Sequence, residues 1–233
     1  MGLGHSPRIV TDGLVLCLDA ANKRSYGGSG TTWTDLKGGN NGTLTNGASF
    51  DSSNLGSIAT DGTNEYIDLG STGLIATSSP FTINFSIRMN SMPSNITPPL
   101  VIKSSNSRNM IILISAVSGY QGVVIGSGGA VWAQGKTLTS SSFFLNNWVN
   151  ICITYNGSGS TSLGNYKIYE NLIDRSLTSG TPGLLSSTTN TIIGYINSYN
   201  TMDANISNFI VYNRALTADE IRQNYLATKE RYA

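Results

Sequence analysis

From Leu69 to Tyr169 the chain contains no aspartate and no glutamate, a run of 101 residues in a protein of 233. That stretch supplies no carboxylate general base, no carboxylate nucleophile and no carboxylate metal ligand. Histidine is nearly missing as well, His5 being the only one. A Ser-His-Asp arrangement would have to draw it from the N-terminal segment, and zinc sites need clusters of His and Cys that do not occur. Cysteine is limited to Cys17 and Cys152, each inside an apolar run, LVLCLD and VNICITY. Both read as buried thiols acting as small apolar residues, with a disulfide between them as the alternative. Charged residues make up 12% of the chain and the net charge is +1, against a usual charged content of about 25%. The cations inside the acid-free run, Arg88, Lys103, Arg108, Lys136 and Lys167, stand singly. No basic stripe is there to engage phosphates, so nucleic acid is not an expected partner. No apolar run reaches the length of a membrane span. The opening MGLGHSPRIV lacks the charged segment and apolar stretch of a secretion signal.

Uncharged polar residues fill the space that charges leave. Asn, Ser, Thr and Gly favour turns and strand surfaces over helix interiors. Apolar residues are patterned among them, which excludes disorder. The clearest element runs from Phe81 to Met89. Phe81, Ile83, Phe85, Ile87 and Met89 share one side, and Thr82, Asn84, Ser86 and Arg88 share the other. Period-two alternation predicts a strand with one face buried and the other wet. Leu14–Leu18 is apolar throughout, as suits a strand covered on both faces. Residues 148–155 place Val149, Ile151, Ile153 and Tyr155 on one side, with Trp148 and Cys152 on the other. Shorter strands are expected at 66–69, 100–103, 110–116, 121–125, 166–169, 191–195 and 206–212. The pairs Asp12-Gly13, Asn41-Gly42, Asn46-Gly47, Asp61-Gly62 and Asn156-Gly157 supply positive-φ positions for the turns between strands. One helix is expected near 217–228. Thr217 and Glu220 form a capping box, and Ala218, Ile221, Tyr225 and Leu226 give an apolar stripe. The simplest role for that helix is a lid over an open end of a sandwich. No repeat or linker divides the chain, so the organisation is a tail of residues 1–12 and one domain over residues 13–233.

Several segments, in order, carry a family resemblance. They are GLVLCLDA (13–20), DGTNEYIDLG (61–70), FTINFSIRMN (81–90), NNWVNICITYNG (146–157), YKIYENLI (166–173) and ISNFIVYNRALTADEIRQNY (206–225). Together they resemble the concanavalin A-like, laminin-G-like jelly-roll superfamily, in a spelling similar to that of marine bacteriophage particle proteins. The fold class implied is all-β, an antiparallel two-sheet jelly-roll sandwich with one short C-terminal helix. Many relatives carry Gly-x-Ile-Asp-Glu in the last strand, where this chain has Ala204, Asn205, Ile206, Ser207 and Asn208. A calcium site built on that acidic pair is weakened here by Ser207 and Asn208. Asp61, Asp68 and Asp203 remain as candidate oxygen ligands, and no other cofactor is implied.

The resemblance sharpens the meaning of the acid-free run. Jelly-roll glucanases of this superfamily resemble one another in a central strand bearing two Glu around an Asp. Retaining hydrolysis needs two carboxyls about 5 Å apart. The nearest candidates here, Glu65 and Asp68, are three apart and face opposite sides of a strand. The chain is therefore not expected to be an enzyme. Glycan binding needs an aromatic plate with amides beside it. Tyr120, Trp132, Gln134, Tyr199 and Asn200 are the candidates. The plainer reading is that Tyr26 and Trp33 anchor loops and that Trp132 is core. Two roles follow from the resemblance. The first is a structural or accessory virion protein, a capsid decoration or a tail or fibre component. It would assemble in the host cytoplasm with other virion subunits, as a homo-oligomer such as a trimer. The second is a cell-surface adhesion module recognising a host or environmental polysaccharide.

Overall fold

The computed structural model describes residues 7–70, 73–74, 79–92, 99–104, 107–115, 122–126, 135–136, 140–158, 163–175, 190–197 and 200–232. Alternation in the sequence becomes two antiparallel sheets laid face to face. The front sheet runs in the order Ile173–Arg175, Tyr166–Glu170, Trp148–Tyr155, Phe81–Met89, Asp203–Tyr212, Ser57–Asp61 and Ser49–Asp51. Strand Leu14–Asp19 also pairs with Asp203–Tyr212, beyond the end of Ser57–Asp61. The back sheet runs Gly135–Lys136, Gly122–Gly126, Ser107–Ser115, Pro99–Ser104, Asn190–Ile193, Tyr66–Asp68, Gly42–Thr45 and Thr32–Trp33. The expected strands are present, with their ends shifted by a few residues. The expected strand over 191–195 splits at Gly194, and Tyr195–Asn197 pairs instead with Asn200–Thr201. The two- to five-residue strands Thr32–Trp33, Gly42–Thr45, Ser49–Asp51 and Ser57–Asp61 are too short to show a period of their own.

The core lies between the sheets. Phe81, Ile83, Phe85, Ile87 and Met89 are at most 1% exposed. They pack with Val149, Ile151, Ile153, Phe209 and Val211 from the neighbouring strands, and with Trp33, Leu44, Ile67, Val123 and Ile193 of the back sheet. Phe85 and Phe209 approach to 6.2 Å between ring centroids, and Phe81 and Tyr155 to 5.5 Å. Full burial of such a side chain stabilises by about 1.5–3 kcal/mol. Two turn glycines show different causes. Asn46 and Gly47 both have positive φ, 57° and 104°, as a tight turn requires. Gly42 lies inside a strand, contrary to its expected turn role. A Cβ there would meet Ile67 Cγ2 at 2.8 Å, so close packing selects the glycine.

The polar side of Phe81–Met89 is not wet. Thr82, Asn84 and Ser86 are buried as deeply as the apolar side, and Arg88 is half-buried. The reason is a second layer. The α-helix Ala218–Thr228 lies on the outer face of the front sheet, not over an open end of the sandwich. A smaller apolar cluster joins them: Cys17, Cys152, Tyr169, Ile210 and Tyr212 from the sheet, Leu216 and Ile221 from the helix region, and Val10. The capping box is present, with Thr217 Oγ1 accepting from Glu220 N and Glu220 Oε2 accepting from Thr217 N. The expected apolar stripe is displaced. Ala218 is exposed and Tyr225 and Leu226 are half-buried, while Ile221, Asn224 and Thr228 face inward. Asn224 is buried because it serves two neighbours. Its Oδ1 accepts from Val10 N at 2.8 Å and its Nδ2 donates to Tyr212 Oη at 2.9 Å. Tyr212 Oη in turn donates to the Val10 carbonyl at 3.0 Å. Val10, in the described part of the N-terminal segment, is thereby tied to the helix.

Candidate functional site

Register places the outer-face residues of the front sheet in rows. Cys17, Ile210, Asn84 and Cys152 are successive partners across four strands. Asp19, Asn208, Ser86 and Asn150 form the next row, and Asn205, Arg88 and Trp148 the third. The first row sits under the helix. The second and third are built from amides, a hydroxyl, an arginine, a carboxylate and an indole, and many of these groups hydrogen-bond to one another. Asn84 Nδ2 donates to Asn150 Oδ1 at 3.0 Å, and Asn150 Nδ2 donates to Ser86 Oγ at 3.0 Å. Asn208 Nδ2 reaches Ser86 Oγ at 3.3 Å and Tyr232 Oη at 3.2 Å. Asn205 Oδ1 accepts from Arg88 Nη2 at 3.1 Å and Asn90 Nδ2 at 3.0 Å, while its own amide donates to Asp51 Oδ2 and Ser57 Oγ. The Asp51 carboxyl is held below its ordinary range, chiefly by the Ser53 backbone N–H.

After the helix, the 3-10 turn Lys229–Tyr232 crosses this polar strip. Tyr232 stacks on Trp148, with centroids 4.7 Å apart and planes at 25°. Burial pushes the Tyr232 phenol up, against the Ser207 and Ser86 hydroxyls, which favour its ionised form. Between the turn, the helix and the edge of the sheet lies a cleft of about 450 Å³ lined by Trp148, Asn150, Asn171, Tyr225, Lys229, Glu230 and Tyr232. Asn171 reaches it through an Asn171-Leu172 turn in which both residues have positive φ. Its Oδ1 accepts from Asn150 N at 2.8 Å and its own N–H donates to the Asn150 carbonyl at 2.9 Å, which fixes the rim. The cleft thus combines three aromatic rings, two amides and one ion pair, Lys229 Nζ to Glu230 Oε1 at 3.5 Å. Aromatic faces with adjacent amides suit a flat ligand rich in hydroxyl groups. Glu230 is the single carboxylate of the lining, so the cleft does not offer the paired carboxyls of glycoside hydrolysis.

Tyr120, Trp132, Gln134 and Tyr199 fall outside the described residues, and Asn200 lies in the short strand Asn200–Thr201. Asp61 and Asp203 are register partners, while Asp68 stands in the other sheet. Asp61 Oδ1 accepts from Thr63 N, Asp68 Oδ1 from Gly70 N, and Asp203 Oδ1 from Asn90 Nδ2. Among the described residues no three His, Cys, Asp or Glu side chains are grouped to hold a metal ion. Ser207 Oγ donates to the Gly56 carbonyl at 3.1 Å, a structural role. Glu65 is buried and its Oε2 accepts from the backbone N–H groups of Asp61, Thr63 and Asn64, which closes a turn. Sequence reasoning missed Trp148, Tyr225 and Tyr232 as site residues. Trp148 reads as the far side of a strand and Tyr225 as part of a helix stripe. Nothing in the sequence pairs either with Tyr232.

Comparison with known proteins bears on this geometry. Residues 61–222 match the family model of the concanavalin A-like lectin/glucanases superfamily. No curated protein sequence matches the chain. Among solved structures, a Trypanosoma rangeli sialidase in complex with sialic acid superposes with a TM-score of 0.66 at 14% identity, over 98% of this chain and 36% of its own. Domain 4 of AbnA, an extracellular arabinanase of Geobacillus stearothermophilus in complex with arabinotriose, has a TM-score of 0.66 at 15% identity. It is covered over 98% of its length, and this chain over 92%. The binding domain of Paraclostridial Mosquitocidal Protein 1 has a TM-score of 0.65 at 20% identity, over 94% of this chain and 52% of its own. This chain therefore spans about a third of the sialidase. At these identities the likeness is one of fold.

Proposed function

The chain belongs to the concanavalin A-like lectin/glucanase superfamily, and from that premise we propose that it is a non-enzymatic carbohydrate-binding domain. Its site is the cleft beside the front sheet. The observation that carries this reading is the lining itself: Trp148, Tyr225 and Tyr232 beside Asn150 and Asn171. Aromatic rings supply apolar faces for the C–H faces of a sugar, and amides supply donors and acceptors for its hydroxyls. The ligand class is an uncharged oligosaccharide, since the one cation and one anion of the lining pair with each other. The arabinanase domain of matching size holds a trisaccharide, which supports the reading.

A glycan array followed by calorimetry tests it. Binding is expected, and Tyr225→Ala should weaken it at least tenfold. Trp148→Ala should weaken it about thirtyfold or more, the scale of an aromatic anchor worth 2 kcal/mol. Circular dichroism checks that both variants stay folded. Full-strength binding by both variants would place the site elsewhere, with Trp132 and Tyr199 next to be tested. A position on a bacteriophage particle, with other virion subunits as partners, is supported by the sequence motifs alone. Mass spectrometry of purified particles tests it, and absence of the chain from them would refute it.

A further inference from the structure

The polar strip of the front sheet passes under the turn Lys229–Tyr232, and what lies there resembles a second binding surface already filled by the chain itself. Beneath Tyr232 are Ser86, Ser207 and Asn208, none more than 1% exposed. Tyr232 presents one ring face to Trp148 at 4.7 Å and receives the Asn208 amide on its hydroxyl at 3.2 Å. An aromatic plate against one face and an amide at the rim are the contacts a sugar ring would make. Yet Tyr232 leaves the surface incompletely satisfied. Among the described residues, three buried polar atoms on this strip have no hydrogen-bond partner: Trp148 Nε1, Arg88 Nε and Asn208 Oδ1. They belong to neighbouring strands, Trp148 and Arg88 being register partners with the guanidinium carbon 5.9 Å from the indole centre. Native interiors leave few such atoms unpaired. Two are donors and one is an acceptor. A ligand bearing several hydroxyls can serve all three, because each hydroxyl both donates and accepts. A single phenol cannot.

We propose that Tyr232 occupies a covered saccharide subsite, and that the turn Lys229–Tyr232 leaves it when a longer neutral oligosaccharide extends inward from the open cleft. The proposal rests on the cleft being a glycan site. The turn is also held by the paired contacts of Arg231 with Asp19 at 2.7 and 2.9 Å, and neither residue lines the open cleft. Loosening that latch should raise the fraction of open molecules, and apparent affinity rises in proportion to that fraction. Calorimetry on cellotetraose, xylotetraose and arabinotetraose, each compared with its disaccharide, tests this with Asp19→Asn and Arg231→Gln. For any tetrasaccharide that the unaltered protein binds, both variants should bind about tenfold tighter, as for a closed state favoured roughly ten to one. The disaccharide should gain nothing, and adding Ser86→Ala to Asp19→Asn should abolish the gain. Unchanged or weaker tetrasaccharide binding by both folded variants overturns the covered subsite while leaving the open cleft intact. Tetrasaccharide binding by the latch variants alone supports the covered subsite by itself. No binding by any form overturns both readings.

Discussion

Glu220 gathers more contacts than any other carboxylate near the helix start. Arg214 meets it through both terminal nitrogens, at 2.9 and 2.6 Å, and Thr217 N donates to it at 2.8 Å. Arg214 first, then the Thr217 donors, hold the carboxyl down to about 2 from an ordinary 4.5, against the opposing effect of burial. A carboxylate with a lowered folded pKa stabilises the fold fully above its unfolded value and loses that contribution as pH falls. The window is therefore from about pH 4.5 down to about 2. Glu220→Gln should flatten the pH dependence of urea unfolding in that window while lowering stability at neutral pH. A variant retaining the full acid slope would show that other carboxylates carry it. The two cysteines make the same point about scale. Their burial was legible, since each sits in an apolar run, and burial pushes both thiols up to about 12. Whether they pair was not legible. Cys17 and Cys152 stand three strand spacings apart, about 14 Å, whereas bridged cysteines lie within about 7 Å. Both are free.

The strand Phe81–Met89 shows what alternation can and cannot say. It sorted the nine residues correctly onto two faces, because a pleated strand leaves no other arrangement. It assigned the polar face to solvent, and that was wrong. Thr82, Asn84 and Ser86 are polar because they hydrogen-bond sideways along the sheet and upward to residues 214–216, not because they meet water. Thr82 Oγ1 donates to the Arg214 carbonyl at 2.8 Å and accepts from Leu216 N at 2.9 Å. Removing one member should therefore be costly. Asn84→Ala takes the donor from Asn150 Oδ1 and should destabilise by about 1–3 kcal/mol, the cost of a buried polar atom left unpaired. Lys167→Ala, at an exposed position in the same sheet, should stay within about 0.5 kcal/mol. Equal small losses for both, measured by chemical denaturation, would mean the polar row contributes nothing. The helix was legible for a related reason. Its capping box is a contact over three residues, and the sequence contains the whole of it.

At the scale of the molecule, the acid-free run spans strands in both sheets, from Phe81–Met89 at the centre of the front one to Gly122–Gly126 near the edge of the back one. The nearest carboxylate in the cleft comes instead from Glu230, beyond the helix. The order of the motifs announced two sheets and a closing helix, because strands, turns and caps are fixed by residues within about one turn or one hairpin of each other. The cleft was not announced. It joins Trp148 and Asn150 from one strand, Asn171 from the next hairpin, and Tyr225 to Tyr232 from the end of the chain. By itself the sequence determined which residues share a face, where turns fall and where the helix begins, since these follow from backbone geometry and local hydrogen bonds. Only the tertiary structure decided which face is covered and by what. That outcome depends on segments more than a hundred residues apart being laid on one another, and the burial of Asn84, Ser86 and Asn208 exists only once Tyr232 and the helix lie above them.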